Sequence, residues 1–129
     1  MTSLTPAQLA IFGPPNLAYL ATVSADGSPH LSPLWADTRD GMILLNTADG
    51  RTKVDNVRRD PRVAVSIHDQ AHPHPPVAVL GTVVEITSEG ALEHIDLLSR
   101  RYQGVPWTPH EGQIRLLLVV RPDRVLGWT

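Results

Sequence analysis

Over much of the chain, apolar residues come in short runs of strand length, and only a few stretches repeat them at helical spacing. Residues 17–24, 29–37 and 42–47 are rich in aliphatic or β-branched side chains, and Asp26-Gly27 and Asp40-Gly41 separate them. Asp-Gly supplies the positive φ angles of tight hairpins, so these three runs are expected to form an antiparallel meander. Further strands are expected at 62–68, 77–87 and 113–120, with a short last one at 124–128 after the Arg121-Pro122-Asp123 turn. The prolines of the 69–76 segment exclude regular pairing there.

Three helical segments interrupt the strands. Thr5-Pro6-Ala7-Gln8 has a capping hydroxyl, a proline at the first helical position and a glutamine three residues on, which opens a short helix through Phe12. Residues 51–60 place Val54 and Val57 on one edge and stop at Pro61. Ser88 is the expected cap of a longer helix in which Leu92, Ile95, Leu98 and Tyr102 recur every three to four residues. Its acidic residues come early and Arg100 and Arg101 late, as the helix dipole prefers, and Gly104 ends it. Six or seven antiparallel strands with two or three short helices predict a small β-barrel.

With 129 residues, no internal repeat and no long linker, one domain spanning 1–129 is expected. A hydrophobic fraction of 42% and a charged fraction of 19% are those of a globular chain. There is no cysteine, which agrees with a reducing compartment. Residues 1–10 lack a signal-peptide pattern, and no segment approaches the roughly 20 apolar residues that span a bilayer. The expectation is a cytoplasmic protein without a membrane partner. Eleven Lys and Arg against thirteen Asp and Glu leave a net charge of -2, which gives no general attraction for nucleic acid.

The stretch from Asn46 to Lys53 carries the most chemical information. It ends a strand and starts a helix, and Arg51 and Lys53 fall in the helix's first turn, where the dipole is already positive. An anion placed there reverses the penalty, taking Arg51 as a fork, Lys53 as a point charge and the hydroxyls of Thr47 and Thr52. Neutralisation by Asp49 and Asp55 is the plain alternative. In Pro29-His30-Leu31-Ser32-Pro33-Leu34-Trp35, two prolines exclude a fully paired central strand. Its free backbone groups can meet the edge of a flat heterocycle, or belong to an ordinary sheet edge.

The order Asp26-Gly27-Ser28-Pro29, Pro33-Leu34-Trp35, Asn46-Thr47, Arg51-Thr52-Lys53, Asn56-Val57 and Arg59-Asp60-Pro61-Arg62-Val63-Ala64 resembles the pyridoxamine-phosphate-oxidase-like split barrels. Within them it is most similar to the actinobacterial group that binds the deazaflavin coenzyme F420. Gly81-Thr82-Val83, Tyr102-Gln103-Gly104 and the terminal Arg124–Trp128 extend the resemblance over nearly the whole chain. The resemblance implies a split β-barrel homodimer with two cofactor sites at the subunit interface. It implies that Arg51 and Lys53 hold the cofactor phosphate with help from Asn46, Thr47, Thr52 and Asn56, and that Leu31, Ser32, Pro33, Leu34 and Trp35 line the ring. Trp107 would reach in from the other subunit. The implied activity is hydride transfer between reduced coenzyme F420 and an unsaturated small-molecule acceptor. An FMN-binding oxidoreductase or electron carrier is the alternative. A non-catalytic member that sequesters cofactor, or binds haem through His68, His72 or His74, is a further one. True pyridoxamine-phosphate oxidases have adjacent Arg and Lys where this chain has Arg51-Thr52-Lys53, and carry a longer C-terminal region, which argues against pyridoxal-phosphate synthesis.

Other signals are assigned less. His68, Asp69, His72 and His74 have metal-ligating chemistry, but the intervening prolines spread them along an extended loop, and no metal is expected. His30 and His94 are given no role. Trp128 is expected in the core or at a subunit interface, and Arg58, Arg59 and Arg62 on a solvated face or along an anionic cofactor tail.

Overall fold

A computed structural model describes residues 3–72 and 75–127. The elements are α1 (Pro6–Ala10), β1 (Ala18–Val23), β2 (Pro29–Leu34), β3 (Ala36–Arg39), β4 (Met42–Ala48), α2 (Thr52–Arg59), β5 (Arg62–Ile67), β6 (Val77–Thr87), α3 (Ala91–Gln103) and β7 (Arg115–Val125). The strands form one antiparallel sheet in the order β2-β1-β5-β6-β7-β4-β3. The fold is a mainly β split barrel with three helices, as expected.

The expected meander is corrected. The 29–37 run is two strands, and β2 and β3 stand at opposite ends of the sheet although only Trp35 separates them. Three consecutive Cα atoms span about 7 Å at most. The sheet therefore has to curl until its two ends nearly meet, and Trp35 is the seam. Both Asp-Gly hairpins form: Gly27 has φ 86°, and Asp40 and Gly41 have φ 54° and 79°.

Inside the curl lies a core of Leu20, Ile43, Leu45, Ile67, Val79, Leu118 and Val120, closed by Phe12 and by Val57 of α2. Leu44 and Leu117 face the other way, as strand alternation requires, and are buried. On that side α3 packs against β7 and β4 and brings in Ile95 and Leu98. Both faces of β4 and β7 are thus covered, which explains their nearly unbroken apolar runs.

The Thr5/Gln8 capping box is present, but regular helix ends at Ala10. Gly90, with φ 74°, occupies the N-cap of α3 in place of Ser88, whose carbonyl accepts from Ala91 N–H at 3.1 Å. Consequently Ala91, Ile95, Leu98 and Ser99 form the buried face and Leu92 is exposed. The two strands expected after residue 113 are one strand, with Pro122 opposite Gly81 where the β6–β7 register shifts, an irregularity of the kind that admits proline. A Cβ on Gly81 would come within 2.7 Å of both Arg121 O and Val120 Cγ1, so only glycine admits this approach. Trp128 and His74 lie outside the described residues.

Candidate functional site

At the seam, the end of β2 comes against the end of β4. A cleft of about 370 Å³ opens there, lined by Pro33, Leu34 and Trp35 on one side and by Asn46, Thr47, Arg51 and Lys53 on the other. Leu17, Ile95, Trp107 and Arg115 complete its wall. Eight of the sequence-selected positions are in it: Pro33, Leu34, Trp35, Asn46, Thr47, Arg51, Lys53 and Trp107.

Three of the lining residues are cations. Arg51 is the N-cap of α2 and makes no side-chain capping bond, and Lys53 lies in the first turn. Arg115 arrives from the start of β7, which pairs with β4 at Ala48. Burial lowers the Lys53 pKa, and the charges of Arg51 and Arg115 lower it further. The same causes, burial first and then Arg51, bring Arg115 down to about 10. Among the described residues, no carboxylate forms an ion pair with any of the three. Neutralisation by Asp49 does not occur, since that residue pairs with Arg58 at 2.9 Å. Three like charges held together in a partly desolvated cleft are a destabilising arrangement unless an anion joins them.

The aromatic wall is built on the seam. Trp35 stacks on Tyr102 with centroids 5.1 Å apart and meets Trp107 edge-on at 6.4 Å. The Tyr102 hydroxyl donates to Asn16 O at 2.6 Å and accepts from Ala36 N–H at 3.2 Å, tying α3 to both sides of the crossover. The Arg115 guanidinium lies 5.0 Å from the Trp107 ring centroid. Trp107 N–H donates to Asp96 Oδ1 at 2.9 Å, whereas its indole Nε1 is buried without a partner. An indole N–H only donates, so this orphan calls for an acceptor. Trp107 lines the cleft of its own chain.

Other sequence-selected residues lie elsewhere. Leu31 is 65% exposed, and Ser32 is buried with a hydroxyl that lacks a partner. Thr52 is exposed at the helix start and is not among the cleft residues. Asn56 is buried and donates to Thr22 Oγ1 at 3.0 Å while accepting from Arg59 at 2.9 Å, which pins α2 to β1. Arg58 pairs with Asp49 and Arg62 with Asp60, whereas Arg59 bonds only the neutral oxygens Val23 O and Asn56 Oδ1. His72 bonds Asp69 at 3.1 Å, and among the described residues no three metal-ligating side chains converge. No helix among those residues is long and apolar enough to cross a membrane.

Sequence reasoning missed Arg115 and His94. Nothing local marks Arg115, which begins a strand 64 residues downstream of Arg51 and joins the cleft through the β4–β7 pairing. Asn46 spans the two: its Oδ1 accepts from Arg115 Nε at 3.0 Å and Nη2 at 2.8 Å, and its amide nitrogen bonds Ala91 O and His94 Nδ1.

The sequence profile of pyridoxamine 5'-phosphate oxidase matches residues 4–129. The chain belongs to that family. Its fold is similar to that of an F420 reductase, with a TM-score of 0.83 and 26% identity over 95% of this chain and 98% of the other. A conserved hypothetical protein of Mycobacterium tuberculosis superposes at 0.73 with 27% identity, covering 95% and 82%. A pyridoxamine 5'-phosphate oxidase-like structure from Lactobacillus delbrueckii, at 0.67 and 23% identity over 97% and 94%, shares the family's fold. The cleft thus lies in a split barrel of pyridoxamine 5'-phosphate oxidase type.

Proposed function

We propose that the protein is an oxidoreductase that binds coenzyme F420 by its phosphate in this cleft and transfers a hydride between the reduced coenzyme and an unsaturated small-molecule acceptor. The observation that carries this reading is the group of Arg51, Lys53 and Arg115 without a carboxylate partner, beside the orphaned indole N–H of Trp107. The phosphodiester of the coenzyme offers that group one negative charge and several acceptor oxygens. The similarity to an F420 reductase at 26% identity over nearly both whole chains supports the choice of coenzyme.

The deazaflavin supplies two-electron hydride chemistry, and the protein supplies position. Arg51, Lys53 and Arg115 fix the phosphate. Trp35 and Trp107 give flat apolar surface, and Leu17 and Ile95 keep water from the cleft floor. Among the described residues the lining has no carboxylic acid and no imidazole, which suits a reaction whose bond changes occur on coenzyme and substrate.

The family match itself favours a second reading, an FMN-dependent oxidoreductase or electron carrier, since the phosphate end is common to both coenzymes. The two readings separate on titration with each coenzyme followed by fluorescence. Coenzyme F420 is expected to bind more tightly, and Arg51→Ala with Lys53→Ala to weaken binding by one to two decades per lost charge-assisted contact, roughly 1.5–3 kcal/mol. Tight FMN binding with no F420 affinity reverses the choice. Unchanged affinity for both in the double variant removes the anion-site reading.

The same reading includes a homodimer. The cleft of one chain is at the low end of ligand-pocket volumes, roughly 300–1,000 Å³. A second copy would complete it over exposed apolar residues such as Leu31, Leu80 and Val84. Sedimentation showing a monomer with coenzyme still tightly bound would remove the dimer.

A further inference from the structure

His94 and Asp37 have no role in the function proposed above, yet with the cleft-lining Asn46 they form one continuous, largely buried polar chain that ends on the cleft. Asn46 accepts two guanidinium N–H groups from Arg115, at 3.0 and 2.8 Å, which requires its oxygen to face β7. Its NH2 is then directed to Ala91 O at 2.8 Å and His94 Nδ1 at 3.2 Å. Nδ1 must be an acceptor to satisfy that contact, so the ring proton sits on Nε2 and is donated to Asp37 Oδ2 at 3.1 Å. Asp37 also receives Arg101 Nη1 at 3.1 Å. Asn46 is 6% exposed, and the side chains of His94 and Asp37 are 11% and 19% exposed. Each link has one satisfied arrangement, and it ends by holding the Arg115 fork in a single plane above Trp107.

We infer that His94 is the positioning residue of the anion-contacting Arg115, acting through Asn46. The inference rests on the anion-site reading above. It adds that the third cation is oriented, whereas Lys53 contributes only its charge. An imidazolium at position 94 puts a proton on Nδ1 against the Asn46 NH2, two donors face to face, and Asn46 relieves this by turning its carbonyl from Arg115. The charged groups around His94 are Asp37 on β3, Arg115 on β7, and Arg101 and Glu93 on α3. Asp37 is already ionised and paired with Arg101, so protonation also adds one positive charge near the cleft, and the acid loss expected is the misalignment of Arg115 less that added attraction.

Inorganic sulfate is the probe, because it keeps its charge across the range in which imidazoles titrate and does not depend on which coenzyme the protein uses. Its affinity is read by isothermal titration on the full chain, with thermal denaturation as the folding control. Arg115→Ala is expected to lose roughly ten- to a hundredfold, the range of one charge-assisted contact. Arg115→Lys should lose nearly as much, since it keeps the charge but not the fork. His94→Leu should lose about tenfold, the scale on which outer partners of a charged site act. His94→Asn places an acceptor near the former Nδ1 and should bind like wild type. Wild-type affinity should fall on acidification, and that of His94→Asn should not. If wild type does not bind sulfate, or Arg115→Ala binds it equally well, the contact role is wrong. If His94→Leu binds like wild type, or His94→Asn shares its acid loss, the positioning role is wrong. Coenzyme titration of the Arg51/Lys53 double variant tests the underlying reading separately, and either result can stand without the other.

Discussion

Replacing Lys53 with methionine should make the ligand-free protein more stable while weakening its hold on an anion. The substitution keeps the unbranched stem and removes only the charge. In the native cleft the ammonium loses hydration and faces Arg51 and Arg115, and both effects lower its pKa. A base whose folded pKa lies below its unfolded value destabilises the fold wherever it is charged, and the penalty is relieved only as pH rises above the folded pKa. At neutral pH the full penalty is therefore present. Arg115, under the same influences, drops from 12.5 to about 10. Relief of one such like-charge contact in a partly exposed cleft is on the order of 1 kcal/mol. For a domain of this size, that raises the melting temperature by about 3–5 °C. The assay is thermal denaturation by circular dichroism at low and high salt, because screening should shrink the gain. With coenzyme present the order reverses, as wild type gains binding energy that Lys53→Met lacks. A lower melting temperature for the ligand-free variant, or a gain that is indifferent to salt, would refute the repulsion argument.

Hydrogen bonds from His94 and Arg101 hold the Asp37 carboxyl down to about 2 against a burial effect that pushes it up. A depressed carboxylate contributes stability above its unfolded pKa, and loses it as pH falls from about 4 to about 2. Acid unfolding should therefore show a component of about 2 kcal/mol in that window that is absent in Asp37→Asn. Tyr102→Phe leaves Asn16 O and Ala36 N–H without their partner at the seam and should cost about 1–3 kcal/mol, with a shifted tryptophan emission as Trp35 loosens. Gly81→Ala has to displace Arg121 O or shift the β6–β7 register and should cost about 1–3 kcal/mol by chemical denaturation, whereas the same change at solvent-facing Gly13 should be nearly neutral.

Local signals in the sequence hold where a local rule decides the outcome. The Thr5 capping box, both Asp-Gly hairpins and the Val54/Val57 edge of α2 form because each depends on residues within a few positions of one another. The break at Trp35 was not legible, because a one-residue crossover has the same alternation as a continuous strand and only the pairing of distant strands reveals it. The Ser88 hydroxyl is the local capping signal, yet the Glu89-Gly90 turn sets where the helix starts. Arg51 and Lys53 stood out because they fall at one strand-to-helix junction. Arg115 and His94 did not, since the former is brought in by strand pairing and the latter by the packing of α3 on β4.

The location of the cleft follows from how the sheet closes. Four strands lie between β2 and β4 in the sheet order, so in a flat sheet Pro33 and Thr47 would be about 24 Å apart, five spacings of about 4.8 Å. They share a cleft only because the curl brings the two ends together at Trp35. The cations depend on a different set of contacts, the β4–α2 junction and the β4–β7 ladder, and these would survive some opening of the seam. Loosening the seam should thus remove the aromatic wall before the cation group. An anion bound to Arg51, Lys53 and Arg115 while its attached ring rests on Trp35 would span both parts, so its binding energy acts directly against opening of the barrel. By the same linkage, any change that weakens closure, at Tyr102 above all, should reduce affinity for a full coenzyme more than affinity for a bare anion.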